Sequence, residues 1–217
     1  MIHLFEIISS LAIAALAFVG IFMQAGLHKG TYKLGTFSYY TNLSNLITGL
    51  YQLLIFVTCF AGGSFYDSLT APGLRYSLTL MIWVTHLIYH FLLVPDFKKR
   101  KGEAFAQEWR SFDNLTVHYA VPLLALLQWL VCADKEVPFG AVFAWLLIPL
   151  CYLGFAMGRA MTLGPEPKSG VYRYPYSFMD LDEQGIKNWT KNILMALGFY
   201  IVLGFVLYGV SWLFRAF

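Results

Sequence analysis

"NILMALGFYIVLGFVLYGVSWLF" (residues 192–214) runs for 23 residues without an Asp, Glu, Lys or Arg. A helix needs ~20 apolar residues to cross a hydrocarbon core of about 30 Å. Backbone groups in lipid must be paired within their own segment, so a run of this length reads as a transmembrane helix. Five similar runs precede it. With Asn192–Phe214 they give six spans, near Leu4–Leu27, Ser38–Phe60, Gly73–Val94, Leu115–Ala133 and Phe139–Met161. Composition agrees: 59% of the 217 residues are hydrophobic, 12% are charged and the mean hydropathy is +0.62. Soluble domains carry about 25% charged residues. The expectation is therefore an all-α polytopic membrane protein, one domain over residues 1–217, with six transmembrane helices in a single bundle. The first run is longer than a signal-peptide core and no Lys or Arg precedes Lys29, so it reads as a permanent helix.

Basic residues set the expected orientation. The loops after the first, third and fifth runs hold twelve Lys and Arg, among them Lys29, Lys98, Arg110, Arg159 and Arg173; the other side holds three, Arg75, Lys135 and Arg215. Those three loops are expected in the cytoplasm and both termini outside, in a bacterial cell membrane. The net charge of +3 thus describes orientation, and no nucleic-acid partner follows from it. Cys59, Cys132 and Cys151 form no CxxC pair and read as small apolar residues. The sequons at Asn42, Asn114 and Asn188 fall on the expected cytoplasmic side and are not expected to carry glycans.

Two loops differ in character. In "FKKRKGEAFAQEWRSFDN" (residues 97–114), Phe105, Trp109 and Phe112 share one helical face, which suggests a short interfacial helix behind a basic run. In "LGPEPKSGVYRYPYSFMDLDEQGIKNW" (residues 163–189), three prolines forbid a simple helix and Tyr172, Tyr174, Tyr176 and Phe178 are too apolar for a free linker. This segment is expected to fold back over the cytoplasmic mouth of the bundle.

Polar side chains within spans face the bundle interior or a cavity. Thr41, Ser44, Asn45, Thr48 and Gln52 share one face of the second run; Thr79, Trp83, His86 and His90 share one face of the third. In the fourth, His118 is followed four residues later by Pro122, which has no N–H to give its carbonyl. Thr41 and His118 lie about one turn inside their helices, and His86 and His90 fall at a similar depth. A threonine hydroxyl becomes a nucleophile when a base takes its proton, and neutral imidazole is the usual base. In the first turn of a helix the N–H groups are unpaired, so those of residues 40–42 could hold an oxyanion, with Asn42 or Asn45 as further donors. Asp113, Asp180 and Tyr174 are the candidates to orient His118. Ser44 and Thr48 are expected to pack against a neighbouring helix.

"YYTNLSNL" (residues 39–46), "VHYAVPLLALLQW" (residues 117–129) and "YRYPYSFMDL" (residues 172–181) resemble the androgen-induced gene/FAR-17a superfamily, in particular its bacterial six-helix members. The likeness implies an intramembrane threonine hydrolase of fatty-acid esters of hydroxy fatty acids or related acyl esters. Carried over, Thr41 is the nucleophile and His118 the general base, under a cover at Tyr174–Tyr176. From the polar layer itself, Asn42, Asn45, His86, His90, Tyr174 and Asp180 are expected to bind substrate or support the pair. No cofactor and no metal are implied, and the partners are membrane lipids and an apolar ester. The residues themselves leave two alternatives open: a non-catalytic lipid or small-solute carrier, and a haem or metal redox protein ligated by His86, His90 and His118.

Overall fold

The computed structural model describes residues 2–95, 98, 109–164 and 172–215. Among them every regular element is a helix. These are α1 (Ile2–Gln24), α2 (Tyr40–Thr58), the short α3 (Ser64–Leu69), α4 (Pro72–Leu93), α5 (Phe112–Cys132), α6 (Ala141–Leu163) and α7 (Leu181–Arg215). Five of them, α1, α4, α5, α6 and α7, are long and apolar enough to cross a membrane. α2 matches the second expected run in position, but Thr41, Asn42, Ser44, Asn45, Thr48 and Gln52 lower its apolarity. All six are buried in the bundle. Large apolar side chains such as Leu11, Val57, Leu127, Phe155 and Val202 face outward instead. That inversion of the soluble pattern suits a lipid surround.

Close approach of backbones holds the first helices together. A Cβ on Gly20 of α1 would lie 2.6 Å from Val117 Cγ1 on α5, so any larger residue forces this crossing to shift. Ile13, Ala17, Ile82, Val121 and Ala125 fill the space between α1, α4 and α5. A larger cluster, centred on Tyr76, Leu80, Trp129, Trp145 and Leu207, joins α4, α5, α6 and α7. The Tyr76 hydroxyl donates to the Gly204 carbonyl at 2.5 Å.

Two wide turns shape the end of the bundle that carries loop 25–39. In α4, over Tyr89–Leu93, the Val94 N–H reaches back five residues to the Tyr89 carbonyl; in α5, over Thr116–Ala120, the Val121 N–H reaches back to Thr116. Each precedes a proline, Pro95 or Pro122, which cannot donate. Such π-turns are uncommon and tend to sit at functional sites. In α5 the wide turn takes the Val121 N–H away from Val117, and Pro122 offers nothing to His118. Two side chains supply the missing donors: Asn45 Nδ2 donates to the Val117 carbonyl at 3.0 Å, and His86 Nδ1 meets the His118 carbonyl at 2.9 Å.

Residues 172–180 fold over the same end, as the proline- and tyrosine-rich loop suggested. Tyr176 packs edge-on to Tyr39 at 5.8 Å and stacks on Phe178 at 5.5 Å. From α7, the Trp189 indole and the Asn192 amide donate to the carbonyls of Met179 and Phe178. The interfacial helix expected around Phe105 lies outside the described residues.

Candidate functional site

Thr41 stands in the first turn of α2, buried, on the wall of a cavity of about 60 Å³. Tyr40, Tyr152, Tyr176 and Tyr200 share that wall, and most of the remaining lining is apolar: Val84, Ile88, Leu93 and Leu197. Tyr40 and Tyr152 meet edge-on at 5.1 Å. They also line a groove of about 400 Å³ between α2, α4 and α6, walled by Leu43, Ile47, Leu147 and Phe155. The tyrosine pair therefore divides an inner cavity from an apolar outer groove.

The covering loop brings one phenol, Tyr176, to the cavity that Thr41 lines. Tyr176 lines the same cavity as Thr41 and Tyr40, at the positive end of α2. Burial pushes this phenol up to about 12, and the neighbouring Thr41 and Tyr40 pull against the rise. Tyr174 occupies a different place: its hydroxyl points to Asp182 at 3.5 Å and its ring lies under the Arg173 guanidinium.

His118 is buried, its ring stacked on Tyr89 with centroids 3.5 Å apart and planes within 10°. It is not among the residues lining the Thr41 cavity. What ties the two is Asn45, whose amide nitrogen donates to the Thr41 carbonyl at 2.8 Å and to the carbonyl of Val117, the residue before His118. Ser44 adds a bond to the Thr41 carbonyl at 3.0 Å and another to the Thr85 hydroxyl at 2.9 Å. α2, α4 and α5 are thereby fixed in register at the level of Thr41.

Several expected roles change. The Asn45 amide is committed to two carbonyls and has no donor left for an oxyanion, whereas the Asn42 amide gives one of its two N–H groups to the Thr36 carbonyl at 2.9 Å. Asp180 accepts the N–H groups of Asp182 and Glu183 and caps α7. Its charge is spent on a helix start. Nδ1 of His118 has no hydrogen-bond partner, so neither Asp180, Asp113 nor Tyr174 orients the ring. His86 and His90 stack at 5.8 Å; His86 serves the His118 carbonyl, and His90 Nδ1 meets the Tyr119 hydroxyl at 2.9 Å. Among the described residues no three His, Cys, Asp or Glu side chains converge as a metal site requires.

A second polar cluster, unforeseen in the sequence, lies at the opposite end. Glu6 of α1 and Arg75 of α4 form a buried ion pair, and the Tyr66 hydroxyl of α3 donates to the other Glu6 oxygen at 2.7 Å. Gln52 Nε2 donates to Gln128 Oε1 at 2.6 Å, and Gln128 Nε2 donates to the hydroxyls of Ser9 and Ser10. In the sequence its members are scattered polar residues, Glu6 in the first span, Gln52 in the second run and Arg75 in the third, with nothing local to join them.

Compared with known proteins, the chain matches no family model, no curated protein and no solved structure.

Proposed function

We propose that this chain is an intramembrane hydrolase of lipid-like esters, with Thr41 as nucleophile and His118 as general base. In this reading α2 is a sixth span and the covered end of the bundle faces the cytoplasm. The observation that carries it is the position of Thr41: a buried hydroxyl at a helix N-terminus, on an apolar cavity roofed by residues 172–180. The resemblance to the androgen-induced gene/FAR-17a superfamily gives that position its chemistry.

The steps follow from these parts. An acyl chain lies in the apolar groove and its ester carbonyl passes Tyr40 and Tyr152 to reach Thr41. Tyr176 gives up its place, and the substrate's carbonyl oxygen takes the N–H groups of Tyr40 and Thr41. The Thr41 proton passes to His118 through one water, because the ring does not border the cavity. Oγ attacks the carbonyl carbon, the alkoxide leaves with the proton from imidazolium, and a water then releases the acid from the acyl-threonine.

A second reading, a non-catalytic binder of a lipid-like molecule, is favoured by one observation: His118 is absent from the cavity wall while four tyrosines form it. The two separate on turnover. Hydrolysis of a long-chain acyl ester by purified protein, lost in both Thr41→Ala and His118→Ala, supports the enzyme. Ester binding without turnover in the wild type supports the binder.

A further inference from the structure

We propose that one water molecule is a fixed part of the Glu6–Arg75 end of the bundle, held between Arg75 Nε, Trp129 Nε1 and Gln52 Oε1. These three atoms are buried and have no hydrogen-bond partner. Their residues line one small cavity of about 10 Å³, which Tyr51, Ile55, Thr79 and Gln128 also line. A cavity holds a water when it offers roughly 10–15 Å³ and two to four polar partners. This one is at the lower limit of size and within the range of partners.

The chemistry of the three atoms selects the occupant. Two are N–H donors and one is a carbonyl acceptor. Water accepts both donors on its lone pairs and gives one O–H to Gln52, which leaves its second O–H for the Thr79 hydroxyl. A cation is repelled by the Arg75 guanidinium. An anion is repelled by the Gln52 carbonyl oxygen and by the Glu6 carboxylate, Arg75's own partner. An apolar occupant leaves all three groups unpaired, and buried groups are rarely left so.

The neighbours do not satisfy these atoms instead: the Tyr51 hydroxyl, which also lines the cavity, gives its proton to the Leu69 carbonyl at 2.8 Å and leaves Arg75 Nε without a partner. Turning the Gln52 amide over would set its oxygen against Gln128 Oε1, because Gln128 Nε2 is held by Ser9 and Ser10 at 2.9 and 2.8 Å. Arg75 is anchored through its terminal nitrogen to Glu6, which Tyr66 also holds. The Trp129 ring lies under the Lys135 ammonium, 4.7 Å from its centroid, and that ammonium bonds the Trp129 and Ala133 carbonyls. Each group is fixed by a bond elsewhere, and the space between them remains. With water in it, the network runs unbroken through α1, α2, α4 and α5. This end is then a rigid anchor for the bundle, independent of any reaction at Thr41.

The test uses the full chain in detergent micelles with tryptophan labelled at the indole nitrogen. Trp129→Phe identifies the Trp129 signal by its disappearance. In the rotating frame, dipolar and exchange cross-peaks to water differ in sign. The proposal predicts a dipolar cross-peak from the Trp129 indole N–H to a long-lived water. Its absence, or a cross-peak of exchange sign alone, overturns the proposal.

Discussion

Replacing Arg75 with leucine tests whether the buried ion pair holds the far end of the bundle together. The side chains of Arg75 and Glu6 are 8% and 7% exposed, so neither charge reaches solvent. In Arg75→Leu the Glu6 carboxylate keeps one neutral donor, the Tyr66 hydroxyl at 2.7 Å, and loses its countercharge. Breaking a buried pair by removing one partner costs about 3–5 kcal/mol. At about 1.4 kcal/mol per decade, a loss of about 4 kcal/mol lowers the folded-to-unfolded ratio roughly a thousandfold. Replacing both charges with apolar groups of similar volume is often nearly neutral, so Glu6→Met with Arg75→Leu is expected within about 1 kcal/mol of wild type. Reversible unfolding in mixed micelles of rising dodecyl sulfate content, followed by tryptophan fluorescence, measures all three. If the single variant costs less than about 1 kcal/mol, as exposed pairs do, or the double variant is as unstable as the single, the reasoning fails.

Other outcomes follow from the same geometry. Gly20→Ala places a methyl 2.6 Å from Val117 Cγ1 and is expected to cost about 1–3 kcal/mol in the same unfolding assay. His86→Ala leaves the His118 carbonyl without a donor, a loss of about 1–3 kcal/mol, whereas His86→Gln, which retains an N–H, recovers part of it. Burial, and then the hydrogen bond to Glu6, raises the Tyr66 phenol from its ordinary 10 to about 12. Between those values the folded state keeps a proton that the unfolded state releases, so this contribution is complete below pH 10 and is lost as pH rises toward 12. The stability profile of Tyr66→Phe, subtracted from that of wild type, isolates that decline.

The helices were legible because hydrophobic length is a local property of the chain. The same holds for the freed carbonyl of His118, which Pro122 announces four residues away; that His86 would supply it, 32 residues distant, is a fact of packing. The wide turn itself was not legible, since proline forbids one bond without saying how the neighbouring register adjusts. Tyr176 and Tyr174 look alike in an irregular loop with no period to assign a face. Only the folded chain puts Tyr176 on the wall of the Thr41 cavity and Tyr174 beside Asp182. Glu6 and Arg75 are 69 residues apart, and nothing local pairs them.

The central claim, that Thr41 is a nucleophile, is tested most directly by an active-site-directed fluorophosphonate carrying a long alkyl chain, with the modified residue located by mass spectrometry. The account predicts covalent labelling of the wild type on Thr41, none in Thr41→Ala, and much slower labelling in His118→Ala. Labelling of Thr41→Ala at the wild-type rate, or adduct found on another residue, would contradict it.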